Sequence, residues 1–139
     1  MTRASRTLAL TAALVATIAV AAMSGGAQAA RPAPGASYAG SSEVGEDVRL
    51  AVTPRGRALK ATVVDLCDGT YVIRGIRIHR GGRFRGEATG PLGATTLEIR
   101  GRFASRRRAR GTLDGIACPP GERTFRARRQ RPGHSVAGR

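Results

Sequence analysis

Residues 95–116, TTLEIRGRFASRRRARGTLDGI, carry both the clearest fold signal and the densest charge of the chain. Before the arginine cluster, Leu97, Ile99 and Phe103 fall on alternate positions, with glutamate and arginine between them. The same alternation resumes after the cluster. A period of two is typical of a half-buried strand. The stretch therefore predicts two antiparallel strands joined by a hairpin loop at 105–108.

The chain from residue 38 onward repeats this pattern. DVRLAVT at 47–53 alternates apolar and polar residues, Gly75 shifts the alternation by one residue and indicates a β-bulge, and Gly81–Gly82 suit a tight hairpin. About eight short strands follow one another at intervals of roughly 8–12 residues, with no helical period. We predict one small all-β domain at 38–128, an antiparallel sandwich or barrel.

The first 29 residues have the features of a signal-peptide helix. Two arginines precede a small-apolar run without charged residues, Leu8–Met23, and Ala27–Gln28–Ala29 matches the A-x-A cleavage pattern. A retained membrane helix is the alternative, but a bilayer core needs about 20 residues and this run is shorter. We expect Sec export, cleavage after Ala29 or Ala30, and a secreted product.

Two segments flank the predicted domain. Residues 30–37 contain two prolines and a glycine, which indicates a flexible leader. Residues 129–139 are basic and lack apolar alternation, so we expect a disordered tail.

The charge balance is strongly basic. The sequence has 24 basic and 9 acidic residues, a net charge of +15, and all the basic residues except Lys60 are arginine. Removing Arg3 and Arg6 with the signal peptide leaves 22 basic residues and a net charge of +13. Such a charge attracts polyanions. A G+C-rich coding sequence is the alternative reason for the arginine content.

The predicted domain contains two cysteines, Cys67 and Cys118. An even pair in an exported protein indicates a disulfide, and small all-β domains with thin cores depend on such cross-links. A metal pair or a catalytic thiol would need histidine or acidic partners at ligand spacing, and neither cysteine has them. We predict a Cys67–Cys118 disulfide.

The arginine cluster has two interpretations, a solvated turn or an electrostatic docking point for anionic polymers or a membrane surface. Base-specific reading of nucleic acid is not expected, because no aromatic residue lies between Phe103 and Phe125 to stack on bases. The candidate polyanion-binding residues are Arg102, Arg106, Arg107, Arg108 and Arg110.

The usual signs of catalysis are absent from the sequence. The only histidines are His79 and His134, and no nucleophile, phosphate-loop or zinc motif is present. The acidic residues near Cys67 and before residue 48 fit turn-shaping roles better than paired catalytic carboxylates. We therefore predict a non-enzymatic module with no cofactor and no metal site. The alternative is an enzyme inhibitor or small hydrolase that acts through exposed loops such as CPPGE at 118–122.

A loose series of motifs runs through the predicted domain: a Y-x-G start, a glycine turn, two G-R-F hairpins, two cysteines and a closing aromatic-x-Ala. They lie at Tyr38–Gly40, Pro54–Gly56, Cys67, Gly82–Phe84, Gly101–Phe103, Ala109–Leu113, Cys118 and Phe125–Ala127. In this pattern the chain resembles small secreted proteins of high-G+C Gram-positive bacteria. The resemblance implies an exported all-β domain without an established activity, and it supplies no active site. This chain departs from the pattern at Phe125, where tryptophan is expected, and in its arginine-rich hairpin.

Overall fold

The computed structural model describes residues 30–67, 69–90, 93, 95–115 and 120–133. Eight antiparallel strands make up the fold, and the described residues contain no helix. The strands are β1 (Ser37–Ser42), β2 (Asp47–Val52), β3 (Ala58–Val64), β4 (Thr70–Arg77), β5 (Arg83–Thr89), β6 (Thr95–Ser105), β7 (Arg108–Gly115) and β8 (Gly121–Arg129).

The strands form one sheet that is nearly closed into a barrel. Its order is β4-β3-β2-β1-β8-β7-β6-β5, so neighbours in the sheet are neighbours in sequence except where β1 pairs with β8. The remaining edges, β4 and β5, meet through a bridge between Ile78 and Phe84. Of the two architectures that the sequence allowed, the structure is the barrel.

Side chains at alternate positions fill the barrel interior. Leu97, Ile99 and Phe103 are buried, as are the apolar positions of β2, which confirms the inward faces predicted from the period of two. The rings of Tyr38 and Phe84 both pack against Phe103, with centroids 5.1 and 5.5 Å from it. Tilted aromatic pairs at this spacing stabilise a core beyond the area they bury.

The predicted glycine features are present. Gly75 has a φ of 67°, and the pairing of β3 with β4 shifts beside it, so the bulge is confirmed. Gly81 and Gly82 have φ values of 88° and 70°, as a tight hairpin requires. The arginine hairpin differs from the sequence prediction: its loop is only Arg106 and Arg107, because Arg108 already pairs with Ser105.

The leader packs onto the barrel instead of extending freely from it. Ala33 and Ala36 are buried, and the amide of Gly35 donates to the carbonyl of Thr53 at 3.0 Å. After β8, the amide of Gln130 donates to the carbonyl of Ser37 at 2.8 Å. Residues at both margins of the predicted domain therefore belong to the fold, which is a difference from the flexible leader expected from sequence.

Alternating strand directions give the barrel two distinct ends. We call one the leader end: it carries residues 30–36 and the β2–β3, β4–β5 and β6–β7 turns. At the other, which we call the opposite end, β1 leads to β2, β3 to β4, β5 to β6 and β7 to β8. The described residues contain no helix that is long and apolar enough to span a membrane. Residues 1–29, where the signal peptide is predicted, lie outside them.

Candidate polyanion-binding face

The structure separates the five candidate arginines into two places. Arg102 on β6 lies directly across from Arg110 on β7, and both point outward. Arg108 begins β7 and is also exposed. Arg106 and Arg107 form the two-residue turn at the leader end. The cluster is therefore partly a turn and partly the outer surface of two strands.

The outward pair belongs to a longer line of arginines. Arg83 on β5 lies opposite Arg102, and Arg126 on β8 lies opposite Arg110. We call Arg83, Arg102, Arg110 and Arg126 the arginine row. Because neighbouring strands are about 4.8 Å apart, four strands place these side chains along a line of about 14 Å.

Within the described residues, no carboxylate forms an ion pair with any member of the arginine row. Like charges directly opposite each other on neighbouring strands are destabilising. The row therefore weakens the isolated barrel. A bound anion would remove that repulsion, and the contact between row and anion would be charge-assisted.

The next outward positions toward the opposite end are partly neutralised. Arg85 donates to Glu98 at 3.0 Å and to Glu87 at 3.2 Å, and Arg100 also donates to Glu98. The hydrogen bond from Arg100 holds the pKa of Glu98 below its usual value, with Arg85 adding to the effect and partial burial opposing it. Glu98 therefore stays ionised and neutralises these two arginines.

Beyond them lies a row of acids on the same four strands. Glu87 pairs with Glu98, Glu98 with Asp114, and Asp114 with Glu122. Each acid is four residues from the arginine-row member on its own strand, which is about 13 Å. That distance exceeds the Debye length of about 8 Å at physiological ionic strength. The acidic row therefore does not neutralise the arginine row.

The whole described barrel shows the same separation of charge along its axis. Every acid on a strand lies in the half of that strand nearest the opposite end, and the acids outside strands lie in turns at that end. These eight acids are Glu43, Glu46, Asp47, Asp65, Glu87, Glu98, Asp114 and Glu122. The leader end and the adjoining half of the surface are therefore almost purely cationic.

A groove of about 970 Å³ runs along the arginine row. Its lining includes all four members of the row, together with Arg108 and Arg128, which pair with each other across β7 and β8. The lining of the groove thus draws arginines from all four strands β5–β8.

The opposite end is closed by a buried ion pair that the sequence analysis did not identify. Arg123 on β8 points inward and donates through Nε to Glu46 Oε2 at 2.7 Å and through Nη2 to Glu46 Oε1. The side chains are 3% and 0% exposed. The amide of Glu46 in turn donates to Ser42 Oγ at 3.1 Å. This bidentate pair is a structural element of the barrel.

The remaining acidic and histidine candidates have local roles or lie outside the described residues. Asp65 Oδ1 accepts from the amides of Cys67 at 3.0 Å and Gly69 at 2.5 Å, so it shapes the β3–β4 turn as the sequence suggested. His79 is exposed at the leader end. In the part of the chain described, no three histidine, cysteine or acidic side chains come together as a metal site. His134 and, in the CPPGE loop, Cys118 and Pro119 lie outside the described residues.

Sequence reasoning missed half of the arginine row. Arg83 and Arg126 were not among the candidates, although each lies between inward residues in a strand of period two. That local signal shows that they point outward. It does not show that they align with Arg102 and Arg110, since alignment depends on the register of β5 with β6 and of β7 with β8.

No protein-family model, curated protein or solved structure matches this chain.

Proposed function

We propose that this protein is a secreted, non-enzymatic module that binds an extended anionic polymer through the arginine row. The separation of charge along the barrel carries the proposal. Coding bias raises the number of arginines, but it does not place four of them in register and gather the acids in the other half of the barrel. The acidic row would repel a polymer that strayed toward the opposite end, so it directs the polymer along the arginine row.

A polymer fits the face better than a membrane does. The exposed large apolar side chains of the described residues are Val44, Val64, Leu66 and Val72, on β3, β4 and the adjoining turns of the opposite end. None of them lies on the arginine face, so the described residues offer no exposed large apolar side chain beside the charge to insert into a bilayer.

The binding would depend on charge and not on polymer sequence. The arginine row offers guanidinium forks, which suit phosphate and similar oxyanions. The aromatic rings nearest to it, Phe84, Phe103 and Phe125, are buried in the barrel and cannot stack on a base. A phosphate-rich envelope polymer is the kind of partner these groups suit.

The first prediction concerns the arginine row. Changing Arg83, Arg102, Arg110 and Arg126 together to glutamine should weaken binding to single-stranded oligothymidylate, used as a plain phosphodiester polymer, by at least tenfold at low salt. The slope of log K against log salt should fall by about 3, because each phosphate contact releases about 0.7 of a counterion on a single strand. Fluorescence anisotropy at several salt concentrations measures both.

A variant with the same charge change supplies the control. Arg49, Lys60, Arg74 and Arg77 point outward on β2–β4, away from the row, and their replacement by glutamine removes the same four charges. The salt slope of this control variant should fall by less than half as much as the slope of the arginine-row variant. Equal losses in the two variants would mean that net charge alone binds the polymer. Tighter binding to anionic liposomes than to the polymer at the same salt would favour a membrane partner instead.

We also propose that the exported protein carries a Cys67–Cys118 disulfide. The β3–β4 turn that contains Cys67 lies at the opposite end of the barrel, where β7 ends at Gly115 and β8 begins at Gly121, and Cys118 falls in the sequence between these two residues. The β1–β2 turn lies at the same end, where Glu43 Oε1 accepts from the amide of Thr124 at 2.9 Å. The bond would fasten two turns of this end together.

The second prediction is a test of that bond. Protein purified from the culture medium and unfolded without reductant should show no thiol that reacts with Ellman's reagent, and reductant should release two. A reactive thiol before reduction would contradict the proposed pairing. The N-terminal sequence of the same material should begin at residue 30 or 31 if the predicted signal peptidase site is used.

A further inference from the structure

A second cationic site lies at the leader end, around the corner from the arginine row. It is a pocket of about 670 Å³ whose lining includes five arginines. They come from four separate segments: Arg31 from the leader, Arg55 and Arg57 from the β2–β3 turn, Arg80 from the β4–β5 turn, and Arg106 from the β6–β7 turn.

The backbone under this pocket is held in place by hydrogen bonds between the segments. The buried hydroxyl of Tyr38 donates to the carbonyl of Arg106 at 2.7 Å and accepts from the amide of Ala33 at 3.2 Å. It therefore joins the leader to the β6–β7 turn. The amide of Ile78 donates to the carbonyl of Arg57 at 2.9 Å, which joins the β2–β3 and β4–β5 turns.

Close packing fixes the leader over the same turns. A Cβ at Gly56 would lie 3.5 Å from the ring of Pro34, and one at Gly82 would lie 2.2 Å from the carbonyl oxygen of Ala30. The second distance leaves room for glycine only. The arginine-bearing segments are thus positioned before any ligand arrives, which lowers the entropic cost of binding.

The charge in the pocket has no internal counterpart. Among the described residues, no carboxylate lines the pocket and none of its five arginines takes part in an ion pair. Five arginines line this one pocket, whereas a single carboxylate would need one or two. Pro32, Pro34 and Ile78 supply the apolar part of the lining.

We propose that this pocket binds a compact oligophosphate group, either a free inorganic oligophosphate or the phosphorylated end of the polymer that the arginine row binds. The volume suits a small ligand, and ligand pockets commonly measure about 300–1,000 Å³. Several guanidinium forks around one centre suit a group with two or three phosphoryl units, each presenting oxygens to a separate arginine. The polymer-end form rests on the function proposed above; the free-oligophosphate form does not.

The third prediction tests the pocket with inorganic tripolyphosphate as the probe. Isothermal titration calorimetry at 150 mM salt should show saturable binding with one site per barrel. Changing Arg55, Arg57 and Arg80 to glutamine should weaken binding at least tenfold. The matched control, Arg49, Lys60 and Arg74 changed to glutamine, removes the same charge from β2–β4 and should change binding less than threefold. Far-UV circular dichroism and the thermal midpoint check that each variant is folded.

The arginine-row variant separates this proposal from the previous one. It should keep its affinity for tripolyphosphate within threefold while losing the polymer. To distinguish the two ligand sources, the polymer is compared with and without a terminal phosphomonoester. If the pocket holds polymer ends, removal of the end phosphate should weaken polymer binding by the unsubstituted protein but not by the pocket variant. If the pocket holds free oligophosphate, polymer binding should change in neither protein. The proposal would be overturned if the pocket and control variants lost the same affinity for tripolyphosphate. It would also be overturned if the titration showed several weak sites per barrel.

Discussion

Arg123→Met is expected to lower the free energy of unfolding by about 3–5 kcal/mol. The substitution removes the partner of Glu46, which is fully buried in the interior at the opposite end. Glu46 is then left buried without its guanidinium partner, and an unpaired buried carboxyl group costs free energy. Urea unfolding followed by far-UV circular dichroism measures the loss, since the chain has no tryptophan.

Two further variants separate the buried pair from ordinary effects of losing an arginine. Arg49→Met removes an exposed partner of Asp47, whose nitrogen and oxygen are 3.8 Å apart, and should change stability by less than about 0.5 kcal/mol. Adding Glu46→Leu to Arg123→Met should restore much of the loss, because a buried ion pair can be replaced by apolar side chains of similar volume. If the double variant is no more stable than Arg123→Met, the loss comes from packing and not from the unpaired carboxylate.

The fold could be predicted largely because each strand carries its own pattern. Residues 47–53 and 95–103 alternate cleanly, and Gly75 and Gly81–Gly82 mark the bulge and the turn, so local sequence was enough for the strands and most turns. The choice of a barrel over a sandwich was not local. It depends on the pairing of β1 with β8, which are separated by most of the domain. No feature within either strand specifies that partner.

The leader shows how proline and glycine can mislead. Such residues are typical of loose segments, and here they form a fixed cover over the leader end. What holds them is tertiary: the hydroxyl of Tyr38 and the glycines of two distant turns. The local sequence indicated a flexible segment, but it did not indicate the tertiary contacts that hold this segment in place.

The candidate site was predicted in part for a similar reason. Arg102 and Arg110 follow from the hairpin alone, because consecutive strands share a register that their loop fixes. Arg83 and Arg126 join them only when β5 and β8 are placed on either side. Arg123 had a local signal, since it is in phase with the inward residues Phe125 and Ala127, but an inward arginine makes sense only once Glu46 is seen beside it.

The close pairing of β6 with β7 depends on two inward positions, Gly101 and Gly111, which lie directly opposite each other. A Cβ at Gly111 would lie 1.9 Å from the carbonyl oxygen of Arg100 and 2.6 Å from the Cα of Gly101. Both are backbone atoms, so no side-chain rotation can relieve the contact. The two strands approach this closely only because neither residue has a side chain.

Gly111→Ala is therefore expected to destabilise the barrel by about 3 kcal/mol or more, the upper range for an overpacked core. Gly86→Ala is the comparison: it is also inward, but its new Cβ would meet the side chains of Ile76 and Ile73 at 2.7 and 3.0 Å, which can move. It should cost about 1–2 kcal/mol. Urea unfolding of both variants decides the matter. If Gly111→Ala lowers the free energy of unfolding by no more than Gly86→Ala, β6 and β7 can move apart at this position. The register that aligns Arg102 with Arg110 would then be less rigid than the structure indicates.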